Sequence, residues 1–135
     1  MRYMLLIYSE TNTITQSDEQ RQKAMEAHWS VIDETKKLGI LKGVDPLEPT
    51  STATTVRMQE GKVVTVDGPF AETKEQLAGY YILDCKDLDE AIAWASKIPV
   101  ACWSGRGCIE VRPIRALPAR LEQPENGQYA TPGVR

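Results

Sequence analysis

The sequence predicts an α+β fold in which an antiparallel sheet carries two helices on one face. Two capping signals, Ser17 with Gln20 and Asp87 with Glu90, each precede apolar residues that recur at helical spacing. Runs rich in strand-forming residues lie before and after each predicted helix, and a further pair of short alternating runs separates the second strand from the third. The order is therefore βαββαβ with an inserted β-hairpin, which is the ferredoxin-like arrangement.

The first half of the chain contains a strand, a helix and a second strand. Residues 2–8 are almost continuously apolar, as in a central strand that is covered on both faces. The first helix is predicted to begin after Ser17 and to stop at Gly39, and residues 40–44 form the second strand. The apolar stripe of the first helix, which is expected to be buried, consists of Ala24, Met25, His28, Val31, Ile32, Thr35 and Leu38.

The inserted hairpin is predicted from alternating polar and apolar residues. Residues 54–59 and 62–66 show this alternation, and Glu60-Gly61 supplies a two-residue turn between them. Residues 77–85 form the next strand of the main sheet. Tyr80 and Tyr81 should point to opposite faces of that strand, because its side chains alternate with a period of two.

A turn motif, Asp67-Gly68-Pro69-Phe70, ends the hairpin and reverses the chain. Gly68 and Pro69 are expected to be structural, since they provide unusual backbone dihedrals and rigidity. Phe70 is expected to fill a place in the core. Asp67 has two interpretations that stay open: its carboxylate holds the turn by accepting backbone N–H groups, or it meets a ligand from a fixed strand end.

The second helix and the last strand complete the fold. The helix is predicted to begin after Asp87 and to end near Pro99, and residues 108–114 form the final strand after a glycine-rich loop. We therefore expect one domain over residues 1–115. Residues 116–135 are rich in Pro, Gly, Gln and charge, and are predicted to form a mobile tail.

Composition disfavours several classes of partner and site. The formal charge of -3, with acidic and basic residues interspersed, favours neither nucleic acid nor an anionic membrane surface, and no apolar run has transmembrane length. Three cysteines and one histidine match no common zinc pattern, so no metal site is predicted. The odd cysteine count fits reduced thiols in the cytoplasm. One sheet face is left without helices, which predicts a homodimer with its sheets face to face.

The sequence resembles the DGPF-type branch of the YCII-related proteins. The motif that carries the resemblance is Asp67-Gly68-Pro69-Phe70-Ala71-Glu72-Thr73-Lys74-Glu75-Gln76, followed by Gly79-Tyr80-Tyr81. Weaker matches are Tyr3-Met4-Leu5-Leu6, Thr52-Ala53-Thr54-Thr55-Val56-Arg57, Asp87-Leu88-Asp89-Glu90-Ala91 and Glu110-Val111-Arg112-Pro113-Ile114. The resemblance implies a dimeric α+β barrel that holds a small organic ligand in a cleft between helices and sheet. It also implies a gene neighbourhood with extracytoplasmic-function sigma factors.

The resemblance further implies a site made of one histidine and one aspartate. His28 matches the histidine of the family's first helix, whereas Lys37 occupies the position of the family's aspartate. We take Asp67 as the substitute, with His28 as general acid or base and Asp67 fixing its tautomer. The alternative interpretation of His28 is a core residue that is hydrogen-bonded to a carbonyl or a tyrosine.

Four further residues are candidates for ligand binding. Tyr80 or Tyr81 should line the cleft or the dimer interface, where its hydroxyl can reach His28 or a ligand. Lys74 and Arg57 can bind an anionic group, although exposed strands and turns carry such residues routinely. The resulting hypothesis is a small-molecule-binding protein that performs cofactor-independent His/Asp acid-base chemistry. The alternative is a non-catalytic ligand-sensing or interaction protein that is associated with a sigma factor.

Overall fold

The computed structural model describes residues 1–10, 17–99 and 107–119. Two α-helices and six strands form this part of the chain, in the predicted order βαββαβ with a hairpin after the second strand. Their bounds are β1 Arg2–Glu10, α1 Asp18–Lys37, β2 Leu41–Pro46, β3 Thr54–Gln59, β4 Lys62–Asp67, β5 Glu75–Asp84, α2 Leu88–Ala95 and β6 Gly107–Pro113, with a 3-10 turn at Thr50–Thr52. Most of the predicted loop before β6, and residues 120–135 of the predicted tail, lie outside the described residues.

The main sheet is antiparallel and has the strand order β2-β5-β1-β6. The hairpin β3-β4 forms a separate two-stranded sheet, as its polar and apolar alternation predicts. Its turn residues Glu60 and Gly61 have φ angles of 50° and 77°, and positive φ at both positions is what a tight two-residue hairpin turn requires. Among the described helices, none is long and apolar enough to span a membrane.

The core lies between one face of the main sheet and both helices. Leu5 and Leu83, on the two central strands, have no exposed surface, and Val31 of α1 and Ala91 of α2 are buried in the same cluster. The opposite face carries the alternate residues of the central strands, and no described helix covers it. Its half-buried side chains are Met4, Leu6, Tyr8, Tyr80 and Ile82.

Helix α1 begins where the capping signal predicts, but its buried stripe is shorter than predicted. Both halves of the capping box between Ser17 and Gln20 are present. Met25 and Leu38 were expected in the core, yet they are 56% and 64% exposed. A helix of 20 residues is about 30 Å long, and only its second half contacts the core. Met25 precedes that half, and Leu38 lies beyond the last helical residue.

Helix α2 also begins as predicted, with the Asp87 carboxylate accepting from the Glu90 backbone N–H at 2.9 Å. It ends at Ala95 and not near Pro99. The Ile98 N–H donates to the Ala95 carbonyl at 3.1 Å, so the last residues form a tighter turn. This turn places Ile98, which is 4% exposed, in the core after the helix has stopped.

Strands β2 and β5 approach each other closely at Gly79. A Cβ atom at Gly79 would lie 2.9 Å from the Asp45 carbonyl oxygen, closer than a side chain tolerates. Because this backbone cannot move without disturbing the strand pairing, Gly79→Ala should lower the free energy of unfolding by about 1–3 kcal/mol in urea titrations. Gly43→Ala is the matched control, since its Cβ would first meet the end of the Ile82 side chain, at 3.3 Å. Equal losses in the two variants would contradict the β2-β5 register.

Candidate functional site

His28 and Tyr81 form a hydrogen-bonded pair between α1 and the helix-covered face of the sheet. His28 is half-buried, and its Nδ1 lies 2.8 Å from the Tyr81 hydroxyl oxygen. The two rings are stacked, with centroids 6.1 Å apart and planes inclined by 14°. Tyr81 is 1% exposed and belongs to the core, so the sheet fixes the position of its hydroxyl. Of the two candidate tyrosines, Tyr81 is therefore the one that reaches His28.

Burial makes both members of this pair neutral near pH 7. It lowers the pKa of His28 below the ordinary value of 6.5, because an imidazolium ion loses hydration there. The same cause raises the pKa of the Tyr81 phenol to about 12. A neutral imidazole and a neutral phenol therefore face each other, and one proton lies in the hydrogen bond between them.

The hydrogen-bond network assigns the tautomer of His28. Tyr81 has no other acceptor for its hydroxyl proton among the described residues, so it donates to Nδ1 of His28. A neutral imidazole with an accepting Nδ1 carries its own proton on Nε2. No described residue is hydrogen-bonded to Nε2. The Nε2–H group is consequently available to a ligand oxygen.

Asp67 lies at the end of β4, and its carboxylate is exposed. Within the described ranges it makes no hydrogen bond or ion pair, either to His28 or to the backbone of its own turn. The described side chain that bonds to a ring nitrogen of His28 is Tyr81, at Nδ1. The turn is held by other groups: the Gly68 N–H donates to the Ala53 carbonyl at 2.7 Å, and the Thr55 hydroxyl donates to the Gly68 carbonyl at 2.8 Å.

The other three candidates lie away from the His28–Tyr81 pair. Tyr80 is on the opposite face, where its hydroxyl donates to the Asp45 carboxylate at 2.6 Å, a bond that raises the pKa of Tyr80. Arg57 donates through Nη2 to the Phe70 carbonyl at 3.3 Å and so braces the turn. Lys74 is exposed and forms no ion pair with a described residue.

Phe70 is the residue whose exposure differs most from what the sequence predicts. It was expected in the core, but it is 77% exposed. The sequence carries a signal for this exposure, since Phe70 is followed by Ala71-Glu72-Thr73-Lys74, in which no apolar periodicity would give it a buried face.

The described residues contain no group of three or more His, Cys, Asp or Glu side chains that could hold a metal ion. The two described thiols, Cys85 and Cys108, are both free. The His28–Tyr81 pair offers a hydrogen-bond donor and proton transfer as its chemistry.

Three comparisons relate the chain to known proteins. The model of the YCII-related domain family matches residues 1–118. An uncharacterised protein of Rhizobium meliloti (strain 1021) is 41% identical over 115 residues, which cover 84% of this chain and 92% of that protein. A solved structure of 5-chloro-2-hydroxyhydroquinone dehydrochlorinase (TftG) from Burkholderia phenoliruptrix AC1100, in complex with 2,5-dihydroxybenzoquinone, matches with a TM-score of 0.47 and 12% identity, over 95% of this chain and 100% of that one.

Proposed function

This chain belongs to the YCII-related family, and from that premise we propose that it binds a small organic molecule beside His28 and performs cofactor-independent acid-base chemistry on it. The observation that carries the proposal is the half-buried, neutral His28–Tyr81 pair, whose Nε2–H is bonded to no residue that the structure describes. A fixed N–H donor in a partly dry site stabilises negative charge that develops on a ligand oxygen.

The proposed reaction is proton transfer at a carbon next to a carbonyl group. Asp67 accepts the carbon-bound proton, and the electron pair of the broken C–H bond forms a C=C bond. The carbonyl oxygen becomes an oxyanion, to which the Nε2–H of His28 donates. In a β,γ-unsaturated carbonyl compound this enolate extends to the γ-carbon. Return of the proton to the γ-carbon, while the oxyanion re-forms the C=O bond, completes an isomerisation to the α,β-unsaturated compound. Asp67 is a candidate for the base because its exposed carboxylate is committed to no described partner.

The remaining candidates are assigned to ligand recognition. Lys74, which has no described ion-pair partner, would bind an anionic group of the ligand, and Arg57 has donors left beyond its bond to Phe70. Tyr80 is proposed to contact a ligand or a second subunit from the uncovered face, where its hydroxyl is bonded to Asp45.

A homodimer in the cytoplasm is part of the same proposal. The uncovered face presents Met4, Leu6 and Ile82 in one half-buried patch, and a second copy of the same face would bury it. The free thiols of Cys85 and Cys108 agree with a reducing compartment.

The second candidate function is a non-catalytic ligand-sensing or interaction protein beside an extracytoplasmic-function sigma factor. One observation favours a protein partner: Val56, Met58 and Val63 are more than 60% exposed on one face of the β3-β4 hairpin. Copurification of a sigma factor with the native protein, and its loss in a Met58→Lys variant, would support this candidate over catalysis.

The proposed reaction can be tested without knowing the physiological substrate. Small cyclic diketones and unsaturated lactones are incubated with the protein in D₂O, and deuterium incorporation at carbon is followed by mass spectrometry. We expect incorporation faster than in buffer, together with shifts of the His28 ring signals in NMR spectra. Incorporation at the buffer rate across the panel, with unchanged His28 signals, would count against the proposal.

A further inference from the structure

A cavity lies beside Pro69 and Phe70, against the sheet face that the described helices leave uncovered. Its volume is about 520 Å³, within the range of about 300–1,000 Å³ that small-molecule sites occupy. Its apolar lining includes Tyr8, Leu47, Phe70 and Leu77. Tyr8 alternates with the buried Ile7 along β1, so it points away from the helices. The reaction proposed at His28 makes no use of this cavity.

Hydrogen bonds to the backbone of the turn fix the position of Phe70 at this cavity, whereas its ring is largely exposed to solvent. Gly68 has a φ of 100° and is bonded to Ala53 through its N–H. Arg57 donates to the carbonyl of Phe70 itself, at 3.3 Å. The ring is nevertheless 77% exposed, so the turn holds an aromatic surface at the cavity opening without burying it. Such a ring is available to pack against a ligand.

The charged residues that line the cavity are all acidic. Of the residues that the structure describes, Glu48 and Glu75 are the charged ones that line it, and no described lysine or arginine does. Neither carboxylate forms an ion pair with a residue in the described ranges. Within the described residues, the Glu75 carboxylate accepts one side-chain hydrogen bond, from the Cys108 thiol at 3.7 Å. The negative charge of these two groups favours a cationic occupant and disfavours an anionic one.

The geometry points to a binding site for a small organic cation, an aromatic or alkyl body that carries an ammonium group. The body packs on Leu77, Tyr8 and Phe70. The ring faces of the two aromatic residues attract a nearby cation. The ammonium group is placed at Glu75, with Glu48 adding to the negative potential. This site goes beyond the reaction proposed at His28, because it lies on the opposite sheet face and uses none of the same residues.

The test compares three probes of one shape and different charge: 2-phenylethylammonium, 2-phenylethanol and 3-phenylpropionate. Phe70 is the only phenylalanine and His28 the only histidine in the chain, so each site has its own NMR reporter. We expect the cation to shift the signals of ring-labelled Phe70 saturably at concentrations up to about 10 mM. The neutral probe should bind at least about fivefold more weakly, and the anion should cause no saturable shift. His28 signals should stay unchanged throughout.

Two variants localise the charge effect. Glu75→Gln should weaken binding of the cation by about fivefold and leave binding of the neutral probe unchanged. Glu72→Gln is the matched control, because Glu72 is an exposed carboxylate just before β5 that does not line the cavity. Three outcomes would each overturn the inference: unshifted Phe70 signals, equal binding of all three probes, or equal losses in the Glu75 and Glu72 variants.

Discussion

Replacing His28 by leucine should slow the deuterium incorporation described above by about 100-fold or more, whereas His28→Gln should stay within about tenfold of the native rate. Leucine removes the Nε2–H donor, and loss of one such donor to a developing oxyanion typically costs about 100- to 1,000-fold in rate. Glutamine keeps the arrangement of the pair. Its carbonyl oxygen can accept from the Tyr81 hydroxyl, and its amide N–H can replace Nε2–H toward the ligand.

Two companion measurements make this result specific. Asp67→Asn should also slow incorporation by about 100-fold or more, because an amide cannot accept the carbon-bound proton. Both His28 variants should melt cooperatively, which separates a lost donor from a lost fold. If His28→Gln were as slow as His28→Leu, His28 would have to transfer a proton itself and the assigned tautomer would be wrong. A native rate in His28→Leu would remove His28 from the reaction.

Leu6→Lys should convert the proposed homodimer into a monomer. Leu6 lies on a central strand and on the uncovered sheet face, opposite Glu110 of β6 and Tyr80 of β5. An unpaired charge in a dry interface costs several kcal/mol, so the dissociation constant should rise by about 1,000-fold or more. The monomer should remain folded, because the uncovered face leaves the new ammonium group in contact with water.

Light scattering of the native and variant proteins at micromolar concentration measures this change. Leu88→Lys is the control, since Leu88 is an exposed apolar residue of α2, on the helix side of the molecule. It should leave the dimer intact. A native protein that is monomeric, or a Leu6→Lys variant that is still dimeric, would contradict a face-to-face pairing of sheets.

Elements whose signals are local could be predicted from the sequence. The start of α1 is set by a reciprocal pair of hydrogen bonds between residues only three positions apart. The hairpin is set by two turn residues with positive φ and by the alternation on either side of them. In both cases the residues that specify the structure are neighbours in the chain, so their types and spacing were sufficient.

Features that depend on distant contacts could not be predicted in the same way. The apolar spacing of α1 continues through Met25 and Leu38. The sheet reaches only the second half of the helix, which leaves Met25 exposed, and Leu38 is exposed because the helix ends before it. The hydrogen-bond partner of His28 lies 53 residues away, and strand alternation alone could not show whether Tyr80 or Tyr81 faced it. Asp67 was an equally reasonable partner until the sheet placed Tyr81 there.

The neutral His28–Tyr81 pair is tested most directly by ¹⁵N NMR of the imidazole, since His28 is the only histidine and gives one set of ring signals. We predict that the neutral ring carries its proton on Nε2 and that its pKa lies below 6.5, because burial disfavours the imidazolium ion. Tyr81→Phe, which removes the donor to Nδ1, should abolish the preference for this tautomer. A pKa at or above 6.5, or a native ring with its proton on Nδ1, would contradict the proposed donor role of His28.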